Sequence, residues 1–123
     1  MASNQWIDVK TDFQTTSYIS SNTYQIYLNS LLNLLYIHCY LHNVPNQTSF
    51  LYFPNYIYLY LEKIGGGDQQ ELRIFNSLNN DNNNRITITF QVRNRSLYTI
   101  FYSSSPNSIT MPLTLVLPVE IIN

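Results

Sequence analysis

"TYQIYLNSLLNLLYIHCYL", residues 23–41, decides the fold class of this chain. At helical spacing, Leu28, Leu31, Leu32, Leu35 and Cys39 fall on one face. At strand spacing, Tyr24, Ile26 and Leu28 share one side, and a second run from Leu34 to Leu41 follows a polar break at Asn29, Ser30 and Asn33. Aromatic and β-branched residues fill both runs, and the asparagines stand between them. This favours two strands and a connector over one helix.

The rest of the chain repeats the pattern. Short β-type runs recur at 5–10, 49–53, 56–64, 71–78, 85–93, 96–102 and 112–122, with turn residues between them. "RITITFQVR" (85–93) is the cleanest half-exposed strand, with Ile86, Ile88, Phe90 and Val92 on one side and Thr87, Thr89 and Gln91 on the other. The "GGGD" run and the "NNDNNN" tract (79–84) read as loops. Pro112 and Pro118 place the last strand at a sheet edge or at a bulge. About eight or nine short strands separated by turns predict an all-β protein, a two-sheet antiparallel β-sandwich. At 123 residues the chain is one domain, 1–123, with 1–20 a candidate extended N-terminal arm.

Composition excludes several classes. Net charge is -1, which provides no electrostatic footprint for nucleic acid. The one cysteine, Cys39, cannot form an internal disulfide. The N-terminus lacks a basic start followed by an apolar run, so no secretory signal is expected. The most apolar window, 31–41, is too short to span a membrane. The sequons at Asn46 and Asn94 are what so much Asn and Ser supplies by chance.

Charge is scarce. Only 11% of residues are charged, against about 25% in a typical soluble domain. Between Asp12 and Glu62 there is no Asp, Glu, Lys or Arg, while the chain holds 11 tyrosines and 16 asparagines. Part of this fits a codon bias toward Asn, Tyr and Ile. A free monomer usually keeps itself soluble with surface charge, so the rest implies a surface covered by a neighbour.

The succession "NTYQIYLNSLLNLLYIHCYLHNVPN" (22–46), "YIYLYLEKIGG" (56–66) and "MPLTLVLPVEI" (111–121), with a Val44-Pro45-Asn46 corner, resembles the single jelly-roll capsid proteins of large eukaryotic DNA viruses and virophages. The resemblance covers roughly 20–64 and 109–121. It implies a jelly-roll sandwich of eight strands in two facing sheets. It also implies a structural role in the virion, after assembly in the host cytoplasm, with other capsid proteins or copies of itself as partners.

Chemistry-bearing patterns are weak. On a helix His38 and His42 in "HCYLH" sit at i and i+4 and could share a metal; on a strand they also share a face, but four residues span about 13 Å. Two zinc–nitrogen bonds of about 2.1 Å cannot bridge that. Two locally bonded histidines beside a packed Cys39 thiol are the expectation. Glu62 and Glu71 flank the glycine run and face each other across a hairpin, either as an acid–base pair or in ion pairs with Lys63 and Arg73. "GGGD" has no Lys-Ser/Thr after it and is no phosphate loop, and "SSSP" (103–106) has no nucleophile-elbow context. Arg85, Arg93 and Arg95, near Phe90 and Tyr98 in sequence, are too few for a nucleic-acid patch and read as a solvated hairpin end. No catalytic residue, metal or cofactor is expected.

The stretch "YIYLYLEKI" (56–64) carries the one site expectation. A strand there puts Tyr56, Tyr58 and Tyr60 on one face and Ile57, Leu59 and Leu61 on the other, against the alternating core of 85–93. Tyrosine buries a large area at low rotamer cost and keeps a hydroxyl, so Tyr56, Tyr58 and Tyr60 form a candidate interface at the centre of a sheet. The function expected is a non-enzymatic structural virion protein that oligomerises. The alternative is a lectin-like carbohydrate-binding sandwich, weakened by the position of the only tryptophan, Trp6, near the terminus.

Overall fold

A computed structural model describes residues 5–20, 23–59, 62–63, 70–79, 85–93, 95–101 and 108–122. For 59, 62–63, 70–79, 85–93, 98 and 100–101 the description is of the backbone. The decisive stretch is a hairpin. β3 (Gln25–Asn29) and β4 (Leu34–Pro45) pair antiparallel, with Tyr27 opposite Tyr36 and Asn29 opposite Leu34. The Asn29 carboxamide oxygen accepts from the amides of Leu31 and Leu32 at 3.1 Å each, and Asn33 takes a positive φ of 54°. These asparagines make the turn that a helix would have to run through. Leu31 and Leu32, which a helical face would bury, are exposed at its tip.

Eleven strands lie among the described residues, in two antiparallel sheets. β1 (Ile7–Asp8), β2 (Gln14–Thr15), β5 (Ser49–Tyr52), β6 (Ile57–Leu59), β7 (Glu62–Lys63), β8 (Gln70–Asn79), β9 (Arg85–Arg93), β10 (Ser96–Phe101) and β11 (Ser108–Ile121) join β3 and β4. One sheet runs β1-β3-β4-β11-β6 and the other β2-β5-β10-β9-β8-β7. The chain is an all-β sandwich. β11 folds back along β4 and β10 along β5, so distant segments are rolled against each other, while β7 to β10 follow in sequence order.

One hydrophobic cluster fills the body. β4 alternates Leu35, Ile37, Cys39 and Leu41 inward, and β11 answers with Met111, Leu113, Leu115, Leu117 and Val119. Phe50, Leu51 and Leu97 supply buried side chains from the second sheet. Of the residues expected to make one core between 57–61 and 86–92, Ile57 is buried; the side chains of Leu59, Leu61, Ile86, Ile88, Phe90 and Val92 lie outside the described residues.

Three expectations are revised. Residues 5–20 are bound to the body and do not extend from it as an arm. β1 pairs with β3 and β2 with β5, and Val9, Phe13 and Ile19 are buried; Phe13 meets Phe53 edge to face at 5.5 Å. Their apolar surface is worth more packed than wet. The 56–64 run is also not one strand. β6 ends in the first sheet at Leu59 and β7 starts in the second at Glu62, so the segment passes between sheets. β6 therefore lies at an edge, not at a centre.

Third, β11 is internal in the strand order and not at a sheet edge, and its local pairing is what accommodates the prolines. Val119 donates its amide to Asn33 on the β4 side and Ile122 donates to Tyr56 on the β6 side. Amides of a strand alternate direction, so Pro112 and Pro118 turn their nitrogens toward the β6 side. β6 pairs with β11 only at 119–121, so both prolines sit where no described strand needs a donor. A bulge also occurs, where Leu41 to Val44 oppose Met111 to Ile109, with Asn43 at φ 50° bonded to Thr110.

The Val44-Pro45-Asn46 corner carries the chain to the second sheet. Buried Thr99 fixes it by donating its hydroxyl to the Pro45 carbonyl at 2.8 Å, while its own carbonyl accepts from Gln47. Arg95, expected at a solvated hairpin end, is half-buried instead. Its guanidinium donates to the carbonyls of Pro54 and Ile57, clamping the entry to β6. Arg85 lies at the opposite end of the nine-residue β9 from Arg93. Replacing Arg95 with alanine is expected to cost about 2–3 kcal/mol, because two carbonyls lose a charged donor. A urea melt showing under about 0.5 kcal/mol would remove the clamp from the account.

Candidate interaction face

The outward positions of the first sheet form a continuous surface, and strand register places them in rows. Asp8, Tyr27, Tyr36 and Val116 are successive partners across β1, β3, β4 and β11. Gln25, His38 and Thr114 make the next row, Tyr40 and Pro112 another, and Leu34 and Pro118 lie on the other side. Tyr58 of β6 pairs with Glu120. This surface is aromatic and aliphatic where a wet sheet face is normally polar. Val116 is 57% exposed, Tyr40 43%, Trp6 42% and Tyr58 41%. In these rows only Asp8 and Glu120 are charged.

Trp6 completes an open groove of about 280 Å³ with Tyr27 and Tyr36. Its ring meets Tyr36 edge-on at 6.5 Å and 73°, and Tyr27 lies tilted against Tyr36 at 6.2 Å. The β1–β3 pairing brings this near-terminal residue over the middle of the chain.

The expected tyrosine site is only partly on this face. Tyr58 is. Tyr56 precedes β6, where strand alternation does not apply; it packs against the core and its hydroxyl donates to Asp12. Burial and the Asp12 carboxylate push the Tyr56 phenol up to about 12. Tyr60 lies outside the described residues. Sequence reading missed Trp6, Tyr27, Tyr36, Tyr40 and Val116. The signal was present in the residues alternating with the predicted core of 24–28 and 34–41, but no rule links separate strands until register is known.

The other chemical candidates are apart. His38 faces outward, bonded through Nδ1 to the Thr114 hydroxyl at 2.8 Å, and His42 contacts the Asn43 amide at 3.3 Å. Cys39 points into the core on the opposite face, where burial pushes its thiol up to about 12. Asp8 accepts from the Lys10 amide at 3.0 Å. Glu62 and Glu71 are cross-strand partners at the edge of the second sheet, as their sequence positions predict. The "GGGD" and "SSSP" runs lie outside the described residues. Among the described residues no three His, Cys, Asp or Glu side chains come together as a metal-holding group, and no helix is long and apolar enough to cross a membrane. No protein-family model, curated protein or solved structure matches the chain.

Proposed function

We propose that the chain is a non-enzymatic structural protein that assembles through protein–protein contacts, as a minor component of a virus capsid. One observation carries the reading. The outer face of β1-β3-β4-β11-β6 presents Trp6, Tyr27, Tyr36, Tyr40, Tyr58 and Val116 with Asp8 and Glu120 as its charges. Interfaces are enriched in such aromatics and depleted of charge at their centres. The partners are other capsid proteins or copies of the chain, and its place is the virion, after assembly in the host cytoplasm.

The test is gradient fractionation of the material in which the chain is naturally made. It should travel with large particles in fixed stoichiometry; a chain found only as a small free species would overturn the reading. Truncating Tyr58 to alanine should leave the isolated fold nearly as stable and weaken assembly by about 1–3 kcal/mol. If thermal melts show the monomer collapsing instead, Tyr58 belongs to the fold and not to the interface.

A second reading gains from the groove. Trp6, remote in sequence, stands beside Tyr27 and Tyr36 as a stacking surface with Gln25 and His38 in the adjoining row. That suits a carbohydrate-binding module. A glycan array with a clear ligand that Trp6→Ala abolishes would favour it over assembly.

A further inference from the structure

The geometry points to a second copy of this chain as the occupant of the outer face. Two copies stack their five-stranded sheets about a two-fold axis running along β4, and Val116 of each enters the Trp6–Tyr27–Tyr36 groove of the other. This rests on the assembly reading and names its partner.

Three observations carry it. The first is reciprocity. β4 is the central strand of the order β1-β3-β4-β11-β6. A two-fold axis along it sets β3 opposite the partner's β11 and β4 opposite itself. Tyr27, Tyr36 and Val116 stand in one register row, with the groove on one side of β4 and the protruding Val116 on the other. The same rotation therefore puts both valines into both grooves. A two-fold interface requires this: one patch must hold a protrusion and its matching recess.

The second is charge. Asp8 and Glu120 are the only charged residues in the rows. The axis places Asp8 opposite the β6 side of the partner at the level of Val116, four residues along the strand from Glu120. That is about 13 Å at the rise of a strand, beyond the screening length of about 8 Å. No carboxylate is set against another. The rows hold no Lys or Arg and no cluster of one sign that would select an oppositely charged partner.

The third is size. β4 and β11 supply the seven rows 34–40 and 112–118, β3 five residues, β6 three and β1 two, which at about 3.4 by 4.8 Å each project about 400 Å². Side-chain relief raises that toward the small end of specific interfaces, where association is weak and reversible. Two sheets stacked about 10 Å apart, each turned about 15° from the axis so that they cross at about 30°, is an ordinary sandwich packing.

The chain's single tryptophan lies in the groove and reports on the contact. Sedimentation velocity and tryptophan emission would be followed between about 1 and 200 µM. The unaltered protein should pass from monomer to dimer while emission moves to shorter wavelength with the same midpoint. Val116→Glu should weaken the dimer about 30-fold or more and keep emission at its monomer position. Tyr52→Glu, on an exposed residue of the second sheet, should leave the dimer intact. If Val116→Glu fails to melt like the unaltered protein, Trp6→Ala replaces it, with the same loss of dimer expected. A monomer throughout, a dimer indifferent to the substitution, or a dimer forming without an emission shift overturns the stacking. A monomer in dilution that still fractionates with large particles would sink this arrangement and leave the assembly reading standing. A dimer that fractionates as free dimer would do the reverse.

Discussion

Replacing Phe50 with alanine is expected to cost about 3–5 kcal/mol, a large part of the roughly 5–15 kcal/mol that holds a domain of this size together. Phe50 is the largest of the fully buried side chains among the described residues, and its neighbour Leu51 is fully buried too. The register of β5 with β10 shifts here and leaves Phe50 as the extra residue between Ser49 and Leu51, so alternation lapses and Phe50 and Leu51 are both buried. The site cannot relax by opening to water, and the lost ring leaves a cavity beside a strand held by long-range pairing on either hand. In urea the midpoint should fall by more than about 1 M at unchanged slope. Val116→Ala is the companion, since its side chain is exposed on the outer face and the isolated fold should move by less than about 0.5 kcal/mol. A Phe50→Ala variant that loses under about 1 kcal/mol would mean that the space closes without cost, and the core as described would be wrong.

What could be read from the sequence follows from which physics is local. Alternation is local, and 23–41, 85–93 and 112–122 declare themselves as strands because inward and outward residues differ in kind every second position. The asparagine turn is local as well: Asn29 and Asn33 prefer the conformations they adopt. Strand order is not local. Nothing in "YIYLYLEKI" reveals that its first half pairs with β11 and its second half with β8, because both halves alternate alike. The same limit hid the face. Tyr27 and Val116 are 89 positions apart and become neighbours only through the register of β4 with both. Trp6 was discounted for lying near a terminus, when its position matters only through the two residues of β1 that follow it. Arg95 shows the opposite error. Its charge suggested solvent, but two carbonyls at the entry to β6 accept from one nitrogen of its half-buried guanidinium.

Alkaline pH is expected to destabilise this protein, and Cys39 sets the slope. Burial among Leu35, Ile37, Leu41 and the apolar row of β11 disfavours the thiolate and raises the thiol from 9.0 to about 12. Below pH 9 both the folded and the unfolded chain keep this proton, and the contribution to stability is whole. Above it the unfolded chain releases the proton first and is favoured, so stability falls by about 1.4 kcal/mol per pH unit until the folded thiol also ionises near 12. The loss over that window is about 3–4 kcal/mol. Tyr56 acts in the same direction between 10.0 and about 12, because the folded phenol is kept protonated by burial and by donation to Asp12. Its partial exposure makes its share smaller. Urea melts from pH 8 to 11 on Cys39→Val and Tyr56→Phe separate the two contributions. Cys39→Val should remove most of the slope, and Tyr56→Phe only the part that begins above 10. At pH 8 the native thiol should also resist a disulfide reagent until the chain is unfolded. A Cys39→Val protein that loses stability with pH as steeply as the parent would place the alkaline sensitivity elsewhere, and the thiol would have no part in it.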